Sequence, residues 1–387
     1  MITDKFGFYD VGNRKTFSKI EAMEWADGNT EKIKWDFNNS VFSLYDWKKE
    51  PEKDVNYFYD ERAIQLRNSY DYIILFYSSG FDSHNILKTF IDNKILIDEI
   101  VTIIPKKDIL SEMTYEYQNF TKLKLSKYFT ELIDTKITVL EYADNFLQLM
   151  GDITEDDLLY GTNNRYAPNH IIRQKLCDIM PQHRQMAENG KKVCYLYGMD
   201  KPTISYRGGK FYSTFKDVIV SNIVLPKTQA NLNFEINTEF FYWAPECVPM
   251  IIKQSHLLNK YYKQMDNEIF KSTIKKRKDF VEFQNKNRWT NLTIYPRCER
   301  DLGLGYFNDK FYHQNVERIF ADTQSMENNQ VYPIMGYRDV WLYTSNTEAA
   351  VKLRKITDHV KTFPTWFNGN NSKYSQIKSI SNYYALS

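Results

Sequence analysis

Cysteine and glycine are scarce in this 387-residue chain, which has four Cys and 14 Gly. The cysteines lie far apart, and no C-x-x-C pair occurs among them: Cys177, Cys194, Cys247 and Cys298. This spacing argues against a disulfide-stapled scaffold and against a cysteine-rich zinc site. The sequence also has no G-x-x-x-x-G-K-[ST] Walker loop, so the commonest phosphate-binding motif is excluded.

Long apolar runs and an excess of one charge are missing as well. No apolar stretch approaches the roughly 18 residues of a membrane span, and no N-terminal segment has the character of a signal peptide. We therefore expect a soluble, cytoplasmic protein with no membrane partner. The 51 basic residues nearly balance the 49 acidic ones, so no overall field for nucleic acid follows. Richness in Asn, Lys, Ile and Tyr is typical of AT-rich genomes, including viral ones, for which the location would be the host cytoplasm.

The most informative segment is a buried strand that runs directly into a polar loop and then a helix. Aromatic and branched residues from 72 to 77 predict a strand buried on both faces, as in a parallel sheet. The loop Ser78-Ser79-Gly80-Phe81-Asp82-Ser83 follows, and residues 83–93 have helical spacing. This order gathers backbone N–H groups, hydroxyls and a helix N-terminus around one point, which is an arrangement that binds phosphate.

Each polar residue of the loop has a predicted role. Ser78 and Ser79 can donate hydroxyl hydrogen bonds to phosphate oxygens, while Gly80 lets the backbone approach closely or take a positive φ. Asp82 and Ser83 stand where a helix N-cap is expected. Because an acid beside phosphate would repel it, Asp82 is predicted to bind magnesium or to cap its own backbone. The alternative is an ordinary strand-to-helix turn with Ser and Asp as caps.

The loop resembles the Ser-Gly-Gly-x-Asp-Ser PP-loop of the N-type ATP pyrophosphatases, a superfamily that includes the synthetase domain of asparagine synthetases. The matching residues are Ser78, Gly80, Asp82 and Ser83, and the resemblance covers about residues 66–205. The departure is Ser79, where the family usually has Gly. If that position needs a positive φ, Ser79 costs roughly 1 kcal/mol or more. The departure bears on turnover more than on nucleotide binding.

Strand and helix patterns alternate from about residue 66, which predicts an α/β fold with a parallel, Rossmann-like sheet flanked by helices. The resemblance implies the adenine nucleotide alpha-hydrolase type of that sheet. We expect a small N-terminal α+β region at 1–65, a PP-loop ATP-binding domain at 66–265 and a mostly helical C-terminal extension at 266–387. Residues 203–215 are predicted to form a hairpin with a Gly-Gly turn, and 238–265 a helical region.

Two further strand ends are candidate parts of the site, because ligands of open α/β sheets lie beyond the carboxyl ends of the strands. The resemblance implies that the backbone of Ile104 borders the adenine, although Pro105 would equally end a plain strand. Asp200 and Lys201 follow the strand 193–197 and are predicted to hold magnesium and the leaving pyrophosphate. These two residues are not family residues, and a turn with a surface ion pair is the alternative.

The resemblance implies ATP and Mg²⁺ as ligands and cleavage of ATP to AMP and pyrophosphate. We expect a ligase that adenylates an acceptor, most simply a carboxylate, for amide or C–N bond formation, with Asp82, Asp200 and Lys201 as catalytic residues. Residue 2 is Ile2 rather than the Cys of a glutaminase, so ammonia or an amine would come from elsewhere. Two alternatives stay open: an enzyme of the same superfamily that modifies a tRNA or DNA base, and a non-catalytic nucleotide-binding protein. The oligomeric state is not predicted.

Overall fold

The computed structural model describes residues 4–104, 121–141, 176–199, 202–217, 236–264, 294–298 and 381–387, together with residues 348, 351, 352 and 355. The N-terminal part forms a small antiparallel sheet in the order β2-β1-β3, with β1 at Phe8–Val11, β2 at Arg14–Thr16 and β3 at Lys34–Asp36. Helices α1 (Lys19–Trp25) and α2 (Asn39–Phe42) accompany it.

A five-stranded parallel sheet forms the centre of the protein. Its strands are β4 (Tyr72–Phe76), β5 (Glu99–Ile104), β6 (Lys136–Glu141), β7 (Val193–Tyr197) and β10 (Ile236–Phe240). Between β7 and β10 in sequence lie the strands of a separate hairpin, β8 (Thr203–Arg207) and β9 (Lys210–Thr214). The flanking helices are α3 (Val55–Ser69), α4 (Phe81–Asp92), α5 (Lys122–Lys127), α6 (Leu176–Ile179), α7 (Pro181–Glu188) and α8 (Val248–Gln264). This confirms the predicted α/β class with a Rossmann-like parallel sheet.

The strand order β10-β7-β4-β5-β6 places the first strand of the sheet in its middle. The chain moves outward from β4 through β5 to β6, and then returns to the other side of β4 to form β7 and β10. Such a reversal creates a topological switch point, where a crevice opens beyond the carboxyl ends of the two adjacent strands. The switch point of this sheet lies between β4 and β7, so the segment that follows β4 borders it.

Burial explains why these segments form strands. The residues of β7 are all buried, and β4 and β5 are buried at nearly every position. Continuous branched and aromatic runs of this kind pack against helices on both faces of a parallel sheet. The predicted hairpin is confirmed as β8 and β9, which turn at Gly208 and Gly209, both with positive φ. A short strand β11 (Tyr384–Ala385) extends this hairpin along β9.

Two secondary-structure predictions differ from the structure. The predicted helical region 238–265 is wrong at its start, because residues 236–240 form β10 and the helix α8 begins only at Val248. The residues of β10 pair in parallel with β7, and this long-range pairing makes a strand of a segment whose aromatic run shows no strand-like alternation. The sequence also predicts one helix over about 168–188, but its described part is divided at Met180, before Pro181.

The predicted N-terminal and C-terminal divisions of the chain stay predictions. All of residues 105–120 and 142–175 and most of 266–387 lie outside the described residues. Among the helices that the structure describes, none combines the length and the apolar character that crossing a membrane requires.

Candidate functional site

The Ser78–Ser83 loop lies where the sequence places it, between β4 and α4 at the switch point. The backbone N–H of Tyr77 donates to Val101 O of β5 at 2.9 Å, which continues the sheet pairing one residue beyond β4. The Thr102 hydroxyl then donates to Tyr77 O at 2.9 Å. The last residue before the loop is therefore bound to the neighbouring strand through both its backbone N–H and its backbone oxygen. The loop leaves the sheet from a rigid base.

Ser79 holds the left-handed conformation in this loop. Its φ is +61°, and its side chain is 3% exposed. Only Gly adopts such a φ without cost, because the Cβ of other residues crowds the backbone. The position where the PP-loop usually has Gly is thus the one whose backbone conformation favours Gly in this fold. The predicted condition for strain at Ser79 is confirmed, and Ser79 stores roughly 1 kcal/mol or more.

Of the two predicted roles of Gly80, the positive φ is wrong, and the close approach of its backbone to a ligand stays a prediction. Its φ is −64° and its ψ is 163°, so its backbone is extended rather than left-handed, and it is the N-cap of α4. The prediction that Asp82 and Ser83 occupy the N-cap is wrong, because the helix already begins at Phe81. A Cβ at Gly80 would meet only Ser78 Oγ, at 3.4 Å. A side chain at position 80 would therefore reduce the space for a ligand without straining the backbone.

The hydroxyl of Ser83 stabilises the loop through two hydrogen bonds to its backbone. It accepts a hydrogen bond from the Ser78 N–H at 3.3 Å and donates to Gly80 O at 3.2 Å. Ser83 is buried, whereas Ser78 is exposed at the mouth of the loop. Of the two hydroxyls, that of Ser78 is the one placed to reach a ligand. Ser83 holds the two ends of the turn together.

Lys124 is a site residue that the sequence did not predict. It comes from α5, it is 7% exposed, and its ammonium donates to Ser79 O at 2.6 Å. The contact joins residues 45 positions apart and adds a buried positive charge beside the loop. A lysine in such a place stabilises the left-handed peptide and offsets the charge of an anion.

Asp82 lies in the first turn of α4, where the helix dipole favours a negative charge. Its carboxylate accepts a hydrogen bond from the hydroxyl of Tyr295, and its backbone oxygen accepts one from Tyr242 at 2.8 Å. Both tyrosines are fully buried, with Tyr59 beside them. Burial above all, and then the charge of Asp82 among neighbouring groups, raises the pKa of Tyr295 well above its usual value. Tyr295 therefore stays a neutral donor to Asp82.

The end of β7 closes tightly against this helix turn. A Cβ on Gly198 would lie 2.8 Å from Ser83 N and 2.9 Å from the carbonyl carbon of Asp82. Such distances essentially never occur for real side chains, so Gly is required where the strand meets the helix. This close approach joins the third predicted strand end to the loop. Asp200 and Lys201, which follow it, lie outside the described residues, so their predicted roles stay predictions.

Ile104 ends β5 at the same edge of the sheet as the loop, as predicted. The whole residue is buried, so neither its side chain nor its backbone is exposed at this edge. His84, in the first turn of α4, is buried. Its Nδ1 lies 2.9 Å from the Tyr77 hydroxyl, and burial, helped by Lys124 and other nearby lysines, lowers its pKa to about 3.

The donor groups present fit a nucleotide that brings its own metal. No cluster of three or more His, Cys, Asp or Glu side chains occurs within the described residues, so a self-contained metal cage is not found in this part of the chain. Mg²⁺ in nucleotide sites commonly uses one or two carboxylates together with the phosphates. Asp82 supplies one such carboxylate beside the loop. The residues thus suit a magnesium–phosphate ligand better than a bare ion.

The chain matches no protein-family model and no curated protein sequence. The resemblance to the PP-loop enzymes therefore depends on the loop and on its place in the fold.

Proposed function

We propose that this protein is an ATP-dependent ligase of the PP-loop type that adenylates an acceptor and releases pyrophosphate. The observation that carries the proposal is the left-handed residue 79, in a Ser-x-Gly-x-Asp-Ser loop, directly after the central strand at the switch point. Motif, backbone conformation and topological position agree, although they come from different properties of the chain. The adenine nucleotide alpha-hydrolase type of sheet is part of this proposal.

The loop would hold the terminal phosphates of ATP. Ser78 would donate its exposed hydroxyl, the first turn of α4 would present its N–H groups, and Lys124 would add positive charge behind the Ser79 peptide. Asp82 would take part through magnesium, which offsets the charge that develops on the phosphates. Ile104 would lie near the base. Asp200 and Lys201 keep their proposed role near the leaving pyrophosphate.

The proposed reaction needs positioning more than covalent help from the protein. An acceptor oxygen, most simply of a carboxylate, attacks the α-phosphorus, and the bond from that phosphorus to the β-phosphate oxygen breaks to release pyrophosphate. An amine then attacks the activated carbonyl and displaces AMP, losing a proton to solvent. The acceptor and the amine are to be identified by experiment.

A non-catalytic nucleotide-binding protein is the second candidate, and the strained Ser79 favours it. The Cβ of Ser79 lies at a loop position that is usually Gly. A loop that binds nucleotide without cleaving it would have the same strained backbone as the one observed. Pyrophosphate release separates the two functions. Salt-sensitive binding of RNA or DNA would instead indicate the base-modifying alternative.

Calorimetry with Mg-ATP, followed by a pyrophosphate assay in mixtures of carboxylic acids and amines, tests the proposal. We expect saturable binding of one ATP and production of AMP and pyrophosphate in equal amounts with a suitable pair. Release of inorganic phosphate and ADP would contradict the proposed bond cleavage. Binding without any turnover in broad mixtures would favour the second candidate.

A further inference from the structure

A turn from the C-terminal part of the chain is attached to α3 and α4 through several contacts. The turn consists of residues 294–298. The hydroxyl of Tyr59 donates to Ile294 O at 2.6 Å, and the Cys298 thiol donates to Phe81 O at 3.4 Å. Arg297 donates to the Thr89 hydroxyl at 3.0 Å and also binds acidic residues of α3 and α4. These contacts fix the turn along α4, from Phe81 in its first turn to Asp92 at its end, and against the neighbouring α3.

Within this turn, one side chain reaches the proposed metal ligand. Tyr295 is fully buried, and its hydroxyl donates to Oδ1 of Asp82 from a position 213 residues along the chain. A Phe ring would fill the same space, but it would leave the Asp82 carboxylate without this donor. The hydroxyl does one thing that a Phe ring cannot: it fixes the orientation of the carboxylate.

We propose that Tyr295 is a positioning residue of the nucleotide site, whose hydroxyl orients the Asp82 carboxylate toward the magnesium that accompanies ATP. This inference rests on the proposed function. Carboxylates that bind metals are usually held by a further hydrogen bond, and loss of that partner typically lowers metal affinity 10- to 100-fold. The C-terminal part of the chain thereby contributes to a site whose loop comes from the N-terminal half.

The chain offers a matched control in Tyr59. Tyr59 is also fully buried, it lies in the same aromatic cluster, and its hydroxyl donates to the same turn. Its hydroxyl, however, donates to the backbone oxygen of Ile294 rather than to Asp82. Tyr59→Phe and Tyr295→Phe each remove one buried hydroxyl and keep the ring, so the two variants differ in whether the lost partner is a backbone oxygen or the Asp82 carboxylate.

The test is calorimetric titration of ATP at a series of magnesium concentrations, with thermal unfolding of each variant. In Tyr295→Phe, we expect the magnesium concentration for half-maximal ATP affinity to rise about tenfold. At saturating magnesium, the ATP affinity should return to the parent value. Tyr59→Phe should keep the parent magnesium dependence, and Tyr295→Phe should add nothing further in an Asp82→Asn background.

Three results would overturn the inference in distinguishable ways. An unchanged or lowered magnesium requirement in Tyr295→Phe contradicts the positioning role and leaves the proposed function intact. An equal rise in Tyr59→Phe assigns the effect to anchoring of the turn rather than to the Asp82 contact. If the parent protein binds no ATP at any magnesium concentration, the proposed function fails, and the role of Tyr295 fails with it.

Discussion

Replacement of Ser79 by Gly should stabilise the protein, because the left-handed φ of +61° penalises any residue with a Cβ. The left-handed conformation costs an ordinary residue roughly 1–2 kcal/mol. Part of the stabilisation in Ser79→Gly is lost, because the greater freedom of Gly in the unfolded chain costs roughly 0.5–1 kcal/mol. The free energy of unfolding should therefore rise by about 0.5–1 kcal/mol in Ser79→Gly.

Ser79→Ala is the matched control, since it removes the same hydroxyl but keeps the Cβ. The difference between the Gly and Ala variants isolates the backbone strain from any loss of a hydroxyl contact. We expect the Gly variant to be more stable than the Ala variant by about 1 kcal/mol. The Lys124 ammonium binds the carbonyl of residue 79, so that contact is the same in both variants.

Urea unfolding of the three proteins measures this difference directly, provided that the slopes with denaturant agree. If Ala and Gly are equally stable, residue 79 does not hold a left-handed conformation, and the structural match to the PP-loop is lost. If Gly stabilises the fold and also increases ATP turnover, the strained Ser79 restrains catalysis. If it increases binding alone, the second candidate function gains support.

Three further predictions concern the surroundings of the loop. Lys124→Met keeps the aliphatic stem but removes the donor to Ser79 O, and should lower stability by about 1.5–3 kcal/mol in urea unfolding; an unchanged value would contradict the contact. Gly198→Ala should destabilise by about 1–3 kcal/mol, since its Cβ would press on the helix backbone; parent-like unfolding would contradict that close approach. Burial raises the pKa of the Glu99 carboxyl, but the hydrogen bonds and charge of its neighbours, above all His183, outweigh this effect and lower the pKa to about 2. Its charged form therefore stabilises the fold by about 3 kcal/mol above pH 4.5, and this is lost as the pH falls toward 2. Glu99→Gln should flatten that part of the stability profile, and an unchanged slope would contradict the assignment.

The sequence predicted those elements whose signals are local. Strand β7 was predicted with its observed bounds, because a run of five apolar residues, mostly branched or aromatic, stands between a Gly-containing turn and Gly198. The hairpin was predicted from its Gly-Gly turn, and α4 from its apolar spacing. The loop was found because its residue types and their order form a motif. Its left-handed position could only be stated as a condition, since φ is not visible in a sequence.

The elements and residues that escaped prediction depend on contacts between distant parts of the chain. The aromatic run after Glu239 shows no strand-like alternation, and pairing with β7 makes residues 236–240 a strand. Lys124 and Tyr295 reach the loop from 45 and 213 residues away, measured to their hydrogen-bond partners. No periodicity marks either residue. A lysine among several on a helix and a tyrosine among 29 carry no local signal of their role.

The central claim is that the loop after β4 binds the phosphates of ATP, and Gly80→Ala tests it most directly. The extended φ of −64° accepts Ala without strain, and the added Cβ would lie 3.4 Å from Ser78 Oγ, beside the proposed phosphate site. Calorimetric titration with Mg-ATP should show binding to the parent and at least about tenfold weaker binding to a Gly80→Ala protein that unfolds at the parent temperature. Absence of binding to the parent, or equal binding to both proteins, would contradict the claim.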